Sequence, residues 1–266
     1  MNPIRYVTLD PTGNITCLVL DEVEEDDRAR VTGALMSRCE QVGYLQKPHN
    51  SAAVARLQMM GGEFCGNASM AAASFIAREA GCKEKTEIQL EVSGAKGVLS
   101  CTVTPLSDDV WEGTVAMPPV LEMMSFRLNE YNMVLVRLEG IAHLILPDHA
   151  AERSEAEALI RSAARILPDP SIGLLQWNSR TKYMKPLVFV RKSDTLVWET
   201  GCGSGSTAIG AWLASSHENG VFRAEIHQPG GTILAEIHQA DGKAEGVRIT
   251  GHVRIGATET LFPDGD

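Results

Sequence analysis

The chain carries one distinctive segment twice. Glu63-Phe-Cys-Gly-Asn-Ala-Ser69 leads into a small-residue helical stretch from Met70 to Ala80, then Glu87 to Val92 and a Ser93-Gly94 turn. Glu199-Thr-Gly-Cys-Gly-Ser-Gly-Ser206 leads into a helical stretch from Thr207 to Ser215, then Glu225-Ile-His227 and a Gly230-Gly231 turn. Cys65 and Cys202 stand 137 positions apart, about half of the 266 residues. A glycine followed by an apolar run opens each half, Gly13 to Leu20 and Gly140 to Leu146. Two copies of a unit predict a pseudo-symmetric pair of lobes and argue against a solenoid. Met117-Pro-Pro-Val120 breaks any regular element between them, which predicts lobes over residues 1–122 and 123–266, each holding one of the two cysteines.

Local patterns predict mixed α and β structure in which strands dominate. Ile15–Leu20, Glu87–Val92, Gly97–Val103, Val134–Leu138, Leu187–Val190, Thr195–Trp198, Thr232–His238 and Val247–Thr250 are short, β-branched or alternating, and bounded by turn residues. Helices are expected over Asp26–Cys39, after Cys65, over Ser154–Leu167 with Ser154 and Glu157 as a capping box, and after Cys202.

Each cysteine precedes a helix whose first residues are Gly, Asn, Ala or Ser: Gly66, Asn67 and Ala68 after Cys65, and Gly203, Ser204 and Gly205 after Cys202. Such a helix start offers free N–H groups and a partial positive charge, which binds a carboxylate and favours a thiolate nearby. Two such sites facing one cleft would place a sulfur on each face of an amino acid's α-carbon. One thiolate removes the α-proton and the other thiol returns a proton from the opposite side, so the pair reads as the acid and base of a racemase that needs no cofactor. The glycine-rich run Gly203-Ser-Gly-Ser-Thr-Ala208 also fits a dinucleotide fingerprint, but the matching Cys65-Gly66-Asn67-Ala68 lacks the second glycine and the chain lacks regular strand and helix alternation.

The remaining composition narrows the classes. With 24 basic and 34 acidic residues the net charge is -10, which disfavours nucleic acid and anionic lipid. No run approaches the roughly 18 apolar residues of a membrane span and no leader pattern opens the chain, so a cytoplasmic protein acting on a small polar substrate is expected. The six cysteines are expected to be reduced, with Cys17, Cys39, Cys82 and Cys101 as packing residues. No close ligand pair seeds a metal site, and none is expected. Assembly as a homodimer is left open.

These motifs, with the early Gly13-Asn14 and Pro229-Gly230-Gly231, resemble the diaminopimelate epimerase superfamily essentially end to end. The resemblance implies an α+β fold of two pseudo-symmetric lobes, each a mostly antiparallel, barrel-like sheet around a central helix, with the two cysteines as acid and base. Within the superfamily, Asp10-Pro-Thr-Gly-Asn-Ile-Thr16, Cys39-Glu-Gln-Val-Gly-Tyr44, Gly62-Glu-Phe-Cys-Gly-Asn-Ala68, Trp198-Glu199 and His227-Gln-Pro-Gly-Gly231 are most similar to the histidine racemases that supply D-histidine for staphylopine-type metallophores.

Diaminopimelate epimerases hold a distal amino-acid end with an arginine shortly before the second cysteine. This chain reads Ser193-Asp-Thr-Leu-Val-Trp-Glu199 there, without arginine, and Gly140-Ile-Ala-His143 where they have Gly-Asn-Pro-His. The resemblance therefore implies a smaller or cationic side chain on the substrate, with Glu40 or Glu199 as hydrogen-bond partner to an imidazole. Asn14 and Asn67 match substrate-contact positions. His143 matches a histidine placed near the first cysteine, to assist its deprotonation, although a core histidine is an equal reading. A diaminopimelate epimerase with an unusual distal pocket, a racemase of another amino acid, and a non-catalytic amino-acid-binding protein of the same fold are the alternatives.

Overall fold

Short runs of β-branched and apolar residues, separated by turn residues, carry most of this chain into strands. The computed structural model describes residues 2–262, and among these sixteen strands and four helices make an α+β fold. Contacts gather the chain into two units, one running up to Ala116 and resuming at Thr250, the other spanning Met117–Ile249.

In the first unit the strands are β1 (Ile4–Pro11), β2 (Thr16–Val19), β3 (Gln41–Gln46), β4 (Ala55–Met59), β5 (Thr86–Val92), β6 (Val98–Pro105), β7 (Val110–Met117) and the later part of β16 (Lys243–Leu261). They close into an eight-stranded barrel, because β16 neighbours β7 on one side and pairs antiparallel with β1 on the other, from Pro11↔Val253 to Ile4↔Leu261. Closure removes the open sheet edges. Two neighbouring strand pairs are parallel and so need crossovers. Helix α1 (Glu25–Leu35) joins β2 to β3, and α2 (Gly66–Glu79) joins β4 to β5. The Gly, Ala and Ser residues of α2 make a helix thin enough to be enclosed on nearly every side, and all but three of its fourteen residues are buried.

The second unit contains β8 (Glu122–Leu128), β9 (Tyr131–Leu138), β10 (Ile141–Pro147), β11 (Ser171–Asn178), β12 (Tyr183–Val190), β13 (Thr195–Trp198), β14 (Gly220–Gln228), β15 (Gly231–Ala240) and the first part of β16. Their order is β8-β9-β10-β11-β12-β14-β15-β16, with β13 hydrogen-bonded to β12. Parallel β10 and β11 are joined by α3 (Arg153–Ala164), and α4 (Gly203–Ala214) leads into β14, which is parallel to β12. Leu144, Leu174 and Leu187 bury against Ala156, Ile160 and Ala163 of α3. Ile145, Leu175 and Met184 bury against Ala208 and Ile209 of α4.

Several boundaries differ from those read in the sequence. The helix expected to reach Cys39 ends at Leu35, where Met36 caps it and Arg38 N–H bonds back to Leu35 C=O, freeing Gln41 to enter β3. The capping box of α3 is made by Glu152 and Glu155, two residues before the expected Ser154 and Glu157. Whereas a single cut near residue 122 was expected, the last strand returns to the first unit through its pairing with β1. Pro118 and Pro119 lie in the irregular link between β7 and β8.

Candidate active site

Cys65 and Cys202 are the N-caps of α2 and α4, and the two caps are built alike. Cys65 has φ -133 and ψ 109; Cys202 has φ -125 and ψ 106. Each sulfur accepts the N–H of the third residue on, Ala68 to Cys65 Sγ at 3.4 Å and Gly205 to Cys202 Sγ at 3.3 Å. Each cysteine carbonyl accepts the N–H of the fourth residue on at 3.0 Å and its serine hydroxyl at 2.8 Å, from Ser69 in one helix and Ser206 in the other. Extended backbone at the cap turns the sulfur onto the first-turn N–H groups, where the helix end is electropositive. At Gly205 a Cβ would stand 3.0 Å from Leu175 Cδ2, 3.1 Å from Cys202 Sγ and 3.2 Å from Met184 Sδ, so the glycine suits the tight packing around this cap.

Around Cys65 the structure gathers Asn14, Glu40, Gln41 and Asn67. Asp10 Oδ1 accepts the N–H of Gly13, whose φ of 91° turns the chain so that Asn14 points inward. Asn14 Nδ2 donates to Glu40 Oε2 at 2.9 Å. Asn14 Oδ1 accepts from Gln41 Nε2 at 2.8 Å and from Asn67 Nδ2 at 3.4 Å. Gln41 Oε1 accepts from the Cys65 thiol at 3.3 Å. Gln41 was not anticipated from the sequence. It is the polar residue opposite Thr16 in the β2–β3 register, and only that register puts it beside the cysteine.

Around Cys202 lie Ser204, His143, Gln228 and Glu199. Ser204 Oγ is 3.5 Å from Cys202 Sγ and 2.9 Å from His143 Nε2. His143 is wholly buried, with Nδ1 lacking a hydrogen-bond partner, and burial pulls its pKa down to about 3, so the ring is neutral. Through Ser204 it attends Cys202, and its full burial on β10 is that of a core histidine, the equal reading from sequence.

Gln228, also unanticipated, accepts the Cys202 N–H at 2.6 Å and donates to Ser206 Oγ at 2.9 Å, clamping the cap from β14. Burial raises the Cys202 thiol well above the ordinary cysteine value, and the negative charge and hydrogen bond of Glu199 push it further, outweighing the donors Ser204 and Gly205. At this cysteine the helix start does not deliver the lowered thiol pKa expected from sequence. Glu199, expected near a substrate imidazole, faces the thiol.

A model of the histidine racemase CntK N-terminal domain matches residues 3–262. A histidine racemase of Fusobacterium nucleatum is 30% identical, covering 86% of this chain and 87% of its own length. One from Staphylococcus aureus is 26% identical over 97% of each. The chain belongs to the histidine racemase family. It is an amino-acid racemase, an isomerase.

The fold of this family member is shared with solved structures of low identity. They include a PhzF-family phenazine biosynthesis protein from Bacillus anthracis (TM-score 0.74, 15% identical, 98% of this chain and 100% of that one). A hydroxyproline epimerase from Agrobacterium vitis follows (0.71, 13%, 97% and 92%).

The other cysteines of this racemase are free and sit apart from the two caps in role. Cys17 and Cys101 are core residues, and burial pushes Cys101 up to about 12. Cys39 is half-buried and donates to Leu35 C=O at 3.4 Å. The dinucleotide reading of Gly203–Ala208 fails on topology, since β13 before α4 runs antiparallel to its neighbour β12. Among the described residues no helix is long and apolar enough to cross a membrane, and no three His, Cys, Asp or Glu side chains converge as a metal-holding group.

Proposed function

We propose that this chain interconverts L- and D-histidine without a cofactor, with Cys65 and Cys202 as the acid and base. The observation that carries the two-thiol part is the matched pair of helix caps, with closely similar backbone angles, one first-turn N–H donated to each sulfur and the same two bonds accepted by each cysteine carbonyl. A lone cysteine recruited for packing has no reason to reproduce that set. The order of elements supports the same reading: each unit has a helix between two parallel strands and a second, cysteine-capped helix leading into a strand parallel to an earlier one. Duplication of one ancestral unit, giving two pseudo-symmetric lobes, explains both.

The chemistry follows from the cap. First-turn N–H groups favour the substrate carboxylate and stabilise the charge that grows on it as the α-proton leaves. A sulfur on one face takes that proton as the other returns one, and the enzyme is left with the opposite proton arrangement. In the substrate-free enzyme burial and Glu199 hold Cys202 as a thiol, and it must pass that proton on, with the Glu199 carboxylate as the neighbouring acceptor, before it can take one from Cα. The thiolate this leaves is stabilised by the Ser204 hydroxyl and the Gly205 N–H. Histidine as substrate is supported by the family and by the absence of an arginine over Ser193–Glu199 for a distal carboxylate.

Incubation with L-histidine in deuterated water tests the reading. Formation of D-histidine with deuterium at Cα is expected. Neither product, with binding retained, would make the protein a binder of the same fold. Faster turnover of diaminopimelate or another amino acid would replace histidine as the substrate.

A further inference from the structure

The hydrogen bonds that converge on Cys65 have a direction, and it is set from the Glu40 end. A carboxylate has no proton to give, so the atom of Asn14 that meets Glu40 Oε2 at 2.9 Å must be its Nδ2. Asn14 then turns Oδ1 toward Gln41, whose Nε2 must donate to it, at 2.8 Å. A second, independent lock agrees. The Thr16 hydroxyl donates to the Asn14 carbonyl at 3.0 Å, so toward Gln41 Nε2, 2.8 Å away, it accepts.

Both hydrogens of the Gln41 amide are thereby used, and its oxygen faces Cys65 Sγ at 3.3 Å. An amide oxygen offers only lone pairs. It welcomes S–H and repels S⁻. The side chain is buried, 9% exposed, so water does not soften the preference.

We propose that Glu40 anchors a directed chain, Glu40 to Asn14 to Gln41, whose terminal oxygen holds Cys65 as a thiol, poised to donate its proton, in the substrate-free enzyme. This rests on the reading of Cys65 as an acid/base group. Gln41 and Asn14 are positioning residues that act through their orientation, and Glu40 acts on Cys65 through them more than as a contact for the substrate side chain. Among the described residues, the charged groups placed near this network include Asp10, whose Oδ1 accepts the Gly13 N–H beside Asn14. Glu40 sits at the entry to β3; Glu63, in the loop before α2, folds its carboxylate over Gly61. From α2 itself the first turn brings no acidic residue.

The test is the pH dependence of Cys65 alkylation by iodoacetamide, followed by peptide mass spectrometry on the full-length enzyme without substrate, from about pH 6 to about pH 10. Glu40→Gln removes the charge that fixes the first amide, and the half-maximal pH is expected to fall by about half a unit or more. Glu40→Asp keeps a carboxylate and is expected to stay near the wild-type midpoint.

Gln41→Met separates the chain from the bare charge. If the effect travels through the amides, Glu40→Gln produces little further shift in that background. An equal shift in both backgrounds would mean direct charge repulsion and would overturn the chain. No shift in either would leave Glu40 as a substrate contact only and overturn it equally. Alkylation is read without turnover, so the outcome stands apart from whether histidine is racemised.

Discussion

His143 presses its ring against the bare α-carbon of Gly173, its partner in the β10–β11 register: a Cβ added there would stand 2.1 Å from Nδ1 and 2.7 Å from Cε1. The ring is wholly buried and tied at Nε2 to Ser204, so it has no open side to retreat to. Gly173→Ala is expected to cost roughly 1–3 kcal/mol, the usual penalty of overfilling a core. It should also draw Ser204 away from Cys202. Adding His143→Ala should recover stability in urea unfolding without recovering wild-type turnover. A Gly173→Ala protein as stable and active as wild type would show that the ring moves freely.

The same burial makes His143 a source of acid lability. Its folded pKa of about 3 lies below the ordinary 6.5, so the unfolded chain takes up a proton that the folded chain refuses. The contribution to stability is complete above about pH 6.5 and drains away as pH falls toward 3, by about 1.4 kcal/mol per unit. Urea midpoints at several pH values between these limits should therefore fall less steeply for His143→Gln than for wild type. Parallel slopes would mean that the ring protonates in the folded state after all.

Glu199 offers a third expectation. Burial is the first cause of the raised Cys202 thiol and Glu199 the second, so Glu199→Gln should move Cys202 alkylation to lower pH while leaving it above that of an exposed cysteine. Because a raised thiol stabilises the fold only while the unfolded chain also stays protonated, wild-type stability should decline as pH climbs past the ordinary cysteine value, and less so in the variant. An unchanged alkylation profile would remove Glu199 from the environment of the thiol.

What the sequence made legible was the part of the site written in local pattern. Cys65 and Cys202 stand out because their segments repeat, and Asn14, Glu40 and Asn67 because they lie in matched motifs; these three do meet beside Cys65. Gln41 and Gln228 escaped because a single glutamine at a strand end has no periodicity to mark it, and its contact with a cysteine cap exists only once the strand packs beside that helix start. The local signal was their place inside segments already singled out, Cys39–Tyr44 and His227–Gly231. Strand β11 escaped for another reason: it is buried on both faces over Ile172–Trp177, so it shows none of the alternation by which half-buried strands are recognised. That His143 reaches Cys202 through Ser204 was not legible, because a motif names a residue but not the neighbours the fold supplies.

Replacing either cap cysteine by serine separates chemistry from folding. Serine is itself a favoured N-cap, so Cys65→Ser and Cys202→Ser should keep the bond to Ala68 N–H or Gly205 N–H and leave the melting temperature nearly unchanged. The hydroxyl is far too weak an acid to exchange a proton with Cα near neutral pH, so kcat/KM for histidine should fall by about 10²–10⁴ or more in each variant. The two losses should differ in kind. With one sulfur left, α-deuterium exchange without inversion should persist for the enantiomer whose proton faces that sulfur, and the opposite enantiomer should be the one exchanged by the other variant. Racemisation at near wild-type rate by either serine variant would exclude a two-thiol mechanism, whereas loss of activity with a large drop in melting temperature would show the cysteines to be structural caps.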